Sequence, residues 1–128
     1  MQKNPELPLP SSTTLPSSVA IYTISSQYEQ KACATKHPQP WIALAPEHSG
    51  AALGILWWLQ VVGDQAPLSI LDCGASAALA QQALNAGIGW VICRTTSAQI
   101  KALSSAPSWT GRILNQRPNS LPFSSSQP

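Results

Sequence analysis

The stretch LSILDCGASAALAQQALNAGIGWVICR, residues 68–94, contains two short apolar runs on either side of an alanine-rich segment. The runs LSIL and WVIC are continuous rather than alternating, which is typical of strands covered on both faces. Between them, Ser76 is placed to cap a helix that Gly87 can end. Two buried strands joined by a helix make a parallel β-α-β unit, so this stretch predicts a parallel α/β sheet.

The same alternation continues on both sides of this unit. Three further strands are predicted, at VAIYTIS (19–25), WIALA (41–45) and RILN (112–115). Three further helices are also predicted. The first is capped by Ser25 or Ser26. The second runs from Ser49 to about Val62 and ends at Gly63, and the third is capped by Thr95 or Thr96 and reaches about Ser105. The pattern predicts five strands, the fifth of them short, alternating with four helices.

The sequence therefore predicts a small three-layer α/β sandwich with a mostly parallel sheet of four or five strands, in the flavodoxin-like or STAS-like class. A half (β/α) barrel is the alternative, because residues 68–94 also resemble one unit of such a barrel. The folded domain is expected at 19–115. Segments 1–18 and 116–128 are rich in proline, serine and threonine, and both are expected to be flexible or extended tails.

Composition narrows the classes of function. Only 9% of the residues are charged, against roughly 25% in typical soluble domains, and the net charge is +2. Without a basic run, nucleic-acid binding is not expected. The three cysteines have no paired short spacing, which argues against a disulfide framework. No hydrophobic leader is visible in the first residues, so a cytoplasmic protein is expected. Neither a cofactor nor a metal site is indicated.

Polar side chains are expected to collect at one edge of the sheet. Ligands of parallel α/β proteins bind outside the carboxyl ends of the strands. The sequence places there two acids, one histidine, one thiol, one arginine and two hydroxyls: Glu47, Asp72, His48, Cys73, Arg94, Ser76 and Thr95. An anionic small molecule could bind through Glu47, Ser76, Arg94 and Thr95. The candidate catalytic residues are His48, Asp72 and Cys73.

Structural roles explain the same residues. Asp72 at a strand end commonly caps a turn or pairs with a neighbour such as Arg94. A half-buried cysteine is most often an apolar filler. The Cys-His-acid set has no known signature spacing, and the dinucleotide and P-loop patterns are missing. The sequence thus leaves open whether the protein is an enzyme.

Residues 49–63, SGAALGILWWLQVVG, form the most unusual segment because they contain no charge. Leu53, Leu56, Trp57 and Gln60 lie on one face of the predicted helix, and Ile55, Trp58, Leu59 and Val62 lie on another. The helix is too short to cross a membrane. We expect one face to pack on the sheet and the other on a second subunit, with Trp57 and Trp58 at the interface of a two-fold dimer. The alternative is a central core helix of the monomer.

Three functions are compatible with these features. The favoured one is a non-catalytic module that assembles with itself or with a partner, because of the low charge and the apolar helix. The alternative is a small enzyme or a binder of an anionic small molecule at the carboxyl edge. A phospho-switch is less favoured, since capping accounts for Ser76 and the first strand is followed by Ser25 and Ser26 rather than an acidic pair.

Overall fold

The computed structural model describes residues 14–105, 109 and 111–122. The predicted tail residues 1–13 and 123–128 lie outside this range. The strands are β1 Ala20–Thr23, β2 Trp41–Leu44, β3 Ser69–Asp72, β4 Trp90–Ile92, β5 Ile113–Leu114 and β6 Leu121–Pro122. The helices are α1 Gln27–Lys36, α2 Ser49–Leu53, α3 Ile55–Val62, α4 Ala77–Asn85 and α5 Ser97–Leu103, with a 3₁₀ turn at Gly63–Leu68.

The predicted α/β class with a parallel sheet is confirmed. All strand pairs are parallel, and the order is β5-β4-β3-β2-β1-β6. Strands β1 to β5 lie side by side in chain order, as the strands of a half (β/α) barrel, the alternative architecture, also do. In the described part of the chain the sheet has six strands rather than the four or five predicted, because β6 lies inside the segment expected to be a tail.

Both faces of the sheet are covered, as the continuous apolar strands predicted. Alternate residues of β2 and β4 enter two separate apolar clusters, with Ala43 and Val91 on one face and Leu44 and Ile92 on the other. The buried apolar side chains of the helices belong to the first cluster. The second consists of strand residues, and Leu15 and Val19, which precede β1, pack against it. Right-handed crossovers that all step in one direction place their helices on one face, which accounts for this division.

Helix caps explain where most of the helices begin. The side chains of Ser26, Ser76 and Thr96 accept hydrogen bonds from the backbone N–H three residues later. These bonds satisfy amide groups that the first helical turn leaves without a partner. Ser76 was predicted as a cap, and for α1 and α5 the structure selects Ser26 over Ser25 and Thr96 over Thr95.

The prediction of one continuous helix from Ser49 to Val62 was wrong. The chain breaks at Gly54, whose φ of 92° favours glycine, and α2 and α3 form on either side. The cap was also misplaced, because His48 occupies the N-cap position and, among the described residues, its side chain makes no capping hydrogen bond to α2. At Gly50 a β-carbon would lie 2.5 Å from the carbonyl oxygen of Asp72, so α2 packs directly on the end of β3.

Candidate functional site at the carboxyl edge of the sheet

Residues 115–122 connect the two outermost strands of the sheet, and we call them the C-terminal strap. The strap leaves β5 at one side of the sheet and ends as β6 beside β1 at the other. Along the way, Arg117 reaches the ends of β2 and β3, and the hydroxyls of Ser120 and Thr23 lie 3.0 Å apart. The strap therefore crosses the carboxyl edge, where ligands of this class of fold bind.

Asp72 is the centre of the polar contacts at this edge, and its side chain is fully buried. Its Oδ1 accepts from the Gly74 N–H at 3.0 Å and from Arg94 Nη2 at 3.2 Å. Its Oδ2 accepts from Arg94 Nη2 at 3.4 Å and from Arg117 Nη1 at 3.0 Å. Both structural roles considered from the sequence, turn capping and pairing with Arg94, are therefore present together.

The pKa of Asp72 lies below its ordinary value. Burial alone would raise this pKa. The backbone N–H of Gly74, the two arginines and the backbone of His48 stabilise the carboxylate and outweigh the effect of burial. Asp72 is therefore ionised at neutral pH, and it serves as a fixed negative charge rather than as a proton donor.

Arg117 was not predicted as a site residue. Its Nη1 donates to both the Ala45 carbonyl and Asp72 Oδ2 at 3.0 Å. The contact with Asp72 spans 45 positions of sequence. Residues around Arg117 have a polar, proline-rich composition that suggests a tail, and local patterns carry no signal for so distant a pairing.

Cys73 is not placed as an activated nucleophile would be. Its thiol is fully buried in the helix-side cluster and lies 3.7 Å from the Leu71 carbonyl oxygen. Burial raises the pKa of this thiol to about 12, and the neighbouring Cys93 and Asp72 contribute in the same direction. The thiolate is the reactive form of cysteine, so this environment favours the packing role over catalysis.

The burial of Cys73 leads to a test with a thiol reagent. In the native protein at pH 8, we expect Cys73 to react with iodoacetamide at least about 100-fold more slowly than in urea, because the thiol is both covered and protonated. Mass spectrometry of chymotryptic peptides, which separate Cys73 from Cys93 by cleavage at residues such as Trp90, would measure both rates. Equal labelling in the two conditions would restore Cys73 as a candidate nucleophile.

His48 lies beside the turn that follows β3. Its backbone adopts a left-handed conformation, with φ of 63°, and its Nδ1 would lie 3.7 Å from a β-carbon on Gly74. Its Nε2 is 3.5 Å from Glu47 Oε2, and both side chains are more than 60% exposed. The fold thus brings His48 near residues 72–74, but its side chain and that of Glu47 face solvent as an exposed pair.

The two hydroxyl residues predicted to bind an anion make local contacts. Ser76 Oγ accepts from the Leu79 N–H, as a cap does. The Thr95 hydroxyl donates to the side-chain oxygen of Gln99, one helical turn further on. Arg94 is tied to the turn after β3 by its own N–H, which donates to the Gly74 carbonyl. The structure thus joins Arg94 to Asp72, while Ser76 and Thr95 remain predictions as ligand contacts.

The two adjacent tryptophans, both predicted at the subunit interface, have different environments. Trp58 is fully buried, and its Nε1–H donates to Ser69 Oγ at 3.1 Å. Its assignment to a subunit interface was therefore wrong, because the ring belongs to the core between α3 and the sheet. Trp57 is half-buried and follows the exposed Leu56 in α3.

No family model, curated protein or solved structure matches this chain. Among the described residues, no three or more His, Cys, Asp or Glu side chains are grouped as metal ligands. Within the same part of the chain, none of the helices combines the length and the apolar character needed to cross a membrane.

Proposed function

We propose that the protein is a self-assembling module whose two copies meet through α2 and α3. The observation that carries this proposal is the outer face of α3, here called the Leu56 face, which consists of Leu56, Trp57 and Gln60; Leu53, at the end of α2, is exposed in the same uncharged segment. Leu56 is 77% exposed and Leu53 is 58% exposed, although both are large apolar residues. Adjacent exposed side chains of this kind commonly mark a protein interface.

The absence of charge on this face favours a second copy as the partner. Residues 49–63 carry no formal charge, and Glu47 and Asp64 only flank the segment. A charged partner surface would lose hydration without gaining an ion pair there. A second copy presents the same uncharged apolar side chains, and a two-fold axis through the face pairs each leucine with apolar groups of the other copy.

Replacing Leu56 with glutamate is expected to abolish this association. Two copies of the variant would bury two like charges in an apolar contact, so sedimentation velocity over a concentration series should show a monomer where the unmodified chain shows a dimer. Circular dichroism would establish that the variant is folded. Folding is expected to survive because the exposed Leu56 side chain contributes little to packing in the core.

The matched control is Leu121→Glu, which places the same charge on another exposed leucine, 54% exposed on β6. This variant should remain dimeric. A monomeric unmodified chain throughout the series, or a dimer that survives Leu56→Glu, would refute self-association through the Leu56 face. If Leu121→Glu alone separated the copies, the interface would lie at the strap.

A further inference from the structure

The carboxyl edge carries an excess of positive charge where the strap crosses it. Two guanidinium groups converge on the single carboxylate of Asp72. One negative charge offsets one of them, so the group formed by Asp72, Arg94 and Arg117 has a net charge of +1. Glu47 follows a strand at the same edge, but its carboxylate lies beside His48. Glu29 accepts hydrogen bonds from Ser25.

The arginines have donor groups to spare. Arg94 bonds to Asp72 through Nη2, and Arg117 bonds through Nη1. A guanidinium carries five N–H donors on three nitrogens, so each arginine retains donors that these bonds do not use. The side chains are 31% and 24% exposed, and therefore both remain accessible from solvent.

The geometry holds these donors in fixed positions. Both arginines bond to the same oxygen, Asp72 Oδ2, at 3.4 and 3.0 Å, so their guanidinium groups are close neighbours. Arg117 is held in addition by the Ala45 carbonyl, and the chain at Arg94 is held by the Gly74 carbonyl. Neighbouring cations repel each other, and a bound oxyanion between them would relieve that repulsion and accept two charge-assisted hydrogen bonds.

We infer that Arg94 and Arg117 form a binding site for an oxyanion, either a phosphate or a carboxylate group, at the carboxyl edge beneath the strap. Asp72 is a positioning residue in this site, since it orients both guanidinium groups without touching the ligand. The site depends on the strap, because Arg117 belongs to it. It does not depend on the Leu56 face and can be tested independently of self-association.

The test is a titration of the ¹⁵N-labelled full chain with inorganic phosphate and, separately, with sodium acetate, at constant ionic strength. The expected result is a saturable shift of the arginine Nε–H signals of Arg94 and Arg117 and of the Gly74 amide. Saturation by phosphate alone would assign a tetrahedral anion, and saturation by acetate alone a planar carboxylate. Shifts that stay linear in both titrations would overturn the proposal.

Variants separate this site from general attraction of anions to a basic surface. Arg94→Gln and Arg117→Gln should each bind the anion about tenfold more weakly or worse, since each removes a charge-assisted pair. Lys101→Gln, an exposed residue in the last turn of α5, removes the same charge and should bind as the unmodified chain does. Equal weakening in all three variants would refute the site.

Arg94→Lys covers the case in which a glutamine variant is unfolded. Lysine keeps the positive charge beside Asp72 but lacks the planar fork that matches an oxyanion, so it should remain folded and bind several-fold more weakly. Undiminished affinity in a folded Arg94→Lys protein would contradict the role assigned to Arg94.

Discussion

Replacing Trp58 with alanine is expected to lower the free energy of unfolding by about 3–5 kcal/mol, the usual cost of removing a buried large aromatic side chain. The ring is fully buried beneath α3, and its loss leaves a cavity against the sheet. The substitution also removes the donor to Ser69 Oγ, which itself donates to the Ala66 carbonyl. Urea unfolding followed by circular dichroism would measure the loss.

Trp57→Ala is the matched control, since it removes the same side chain from the next position. Trp57 is only half-buried, and its ring centroid lies 5.5 Å from that of Trp58. We expect this variant to lose less than half as much stability and to weaken the dimer instead. If the two variants were equally destabilised, the division of the tryptophans between core and surface would be incorrect.

Asp72→Ala is expected to cost about 3 kcal/mol, near the lower limit for breaking a buried ion pair. The partly exposed arginines can recover some hydration, which is why the lower limit applies. Asp64→Ala, which removes an exposed acid from the 3₁₀ turn, should change stability by less than about 0.5 kcal/mol. A comparable loss of unfolding free energy in both variants would show that the buried ion pairs of Asp72 stabilise the fold no more than an exposed acid does.

The pH dependence of stability provides a second measurement of Asp72. Because the pKa of Asp72 is lower in the folded protein, the unfolded chain binds a proton first as the pH falls. Its contribution is therefore complete above the ordinary aspartate pKa and is lost progressively below it. Asp72→Ala should lose less stability between pH 5 and pH 3 than the unmodified chain does, by at most about 1 kcal/mol, the limit that the ordinary aspartate pKa sets over this range.

Local patterns in the sequence were sufficient to predict the class of fold. The continuous apolar runs before Asp72 and Arg94 indicated strands covered on both faces, and Ser76 marked the start of α4 correctly. The pairing of Asp72 with Arg94 could also be anticipated, because β3 and β4 are consecutive parallel strands and end at the same edge. Each of these inferences depends on residues close in sequence or on neighbouring strands.

The features that were missed depend on longer-range packing or on single backbone angles. Gly54 ends α2 through one left-handed φ value, which the apolar periodicity of residues 49–63 does not reveal. Trp57 and Trp58 are the same residue type at adjacent positions, and only the position of the sheet relative to α3 determines which of them is buried. Arg117 and β6 have short polar or proline-containing surroundings, so nothing local indicates that they return to the sheet.

The strap has a consequence for how the chain acquires its structure during synthesis. Thr23 and Ser120 are in contact but are separated by 97 positions, so β1 gains its second neighbour only after all the intervening residues have left the ribosome. Contacts between such distant residues close late, because a long loop must first be ordered. Strands β1 to β5 can assemble earlier, with Asp72 held by Arg94, and the arrival of Arg117 then completes the edge.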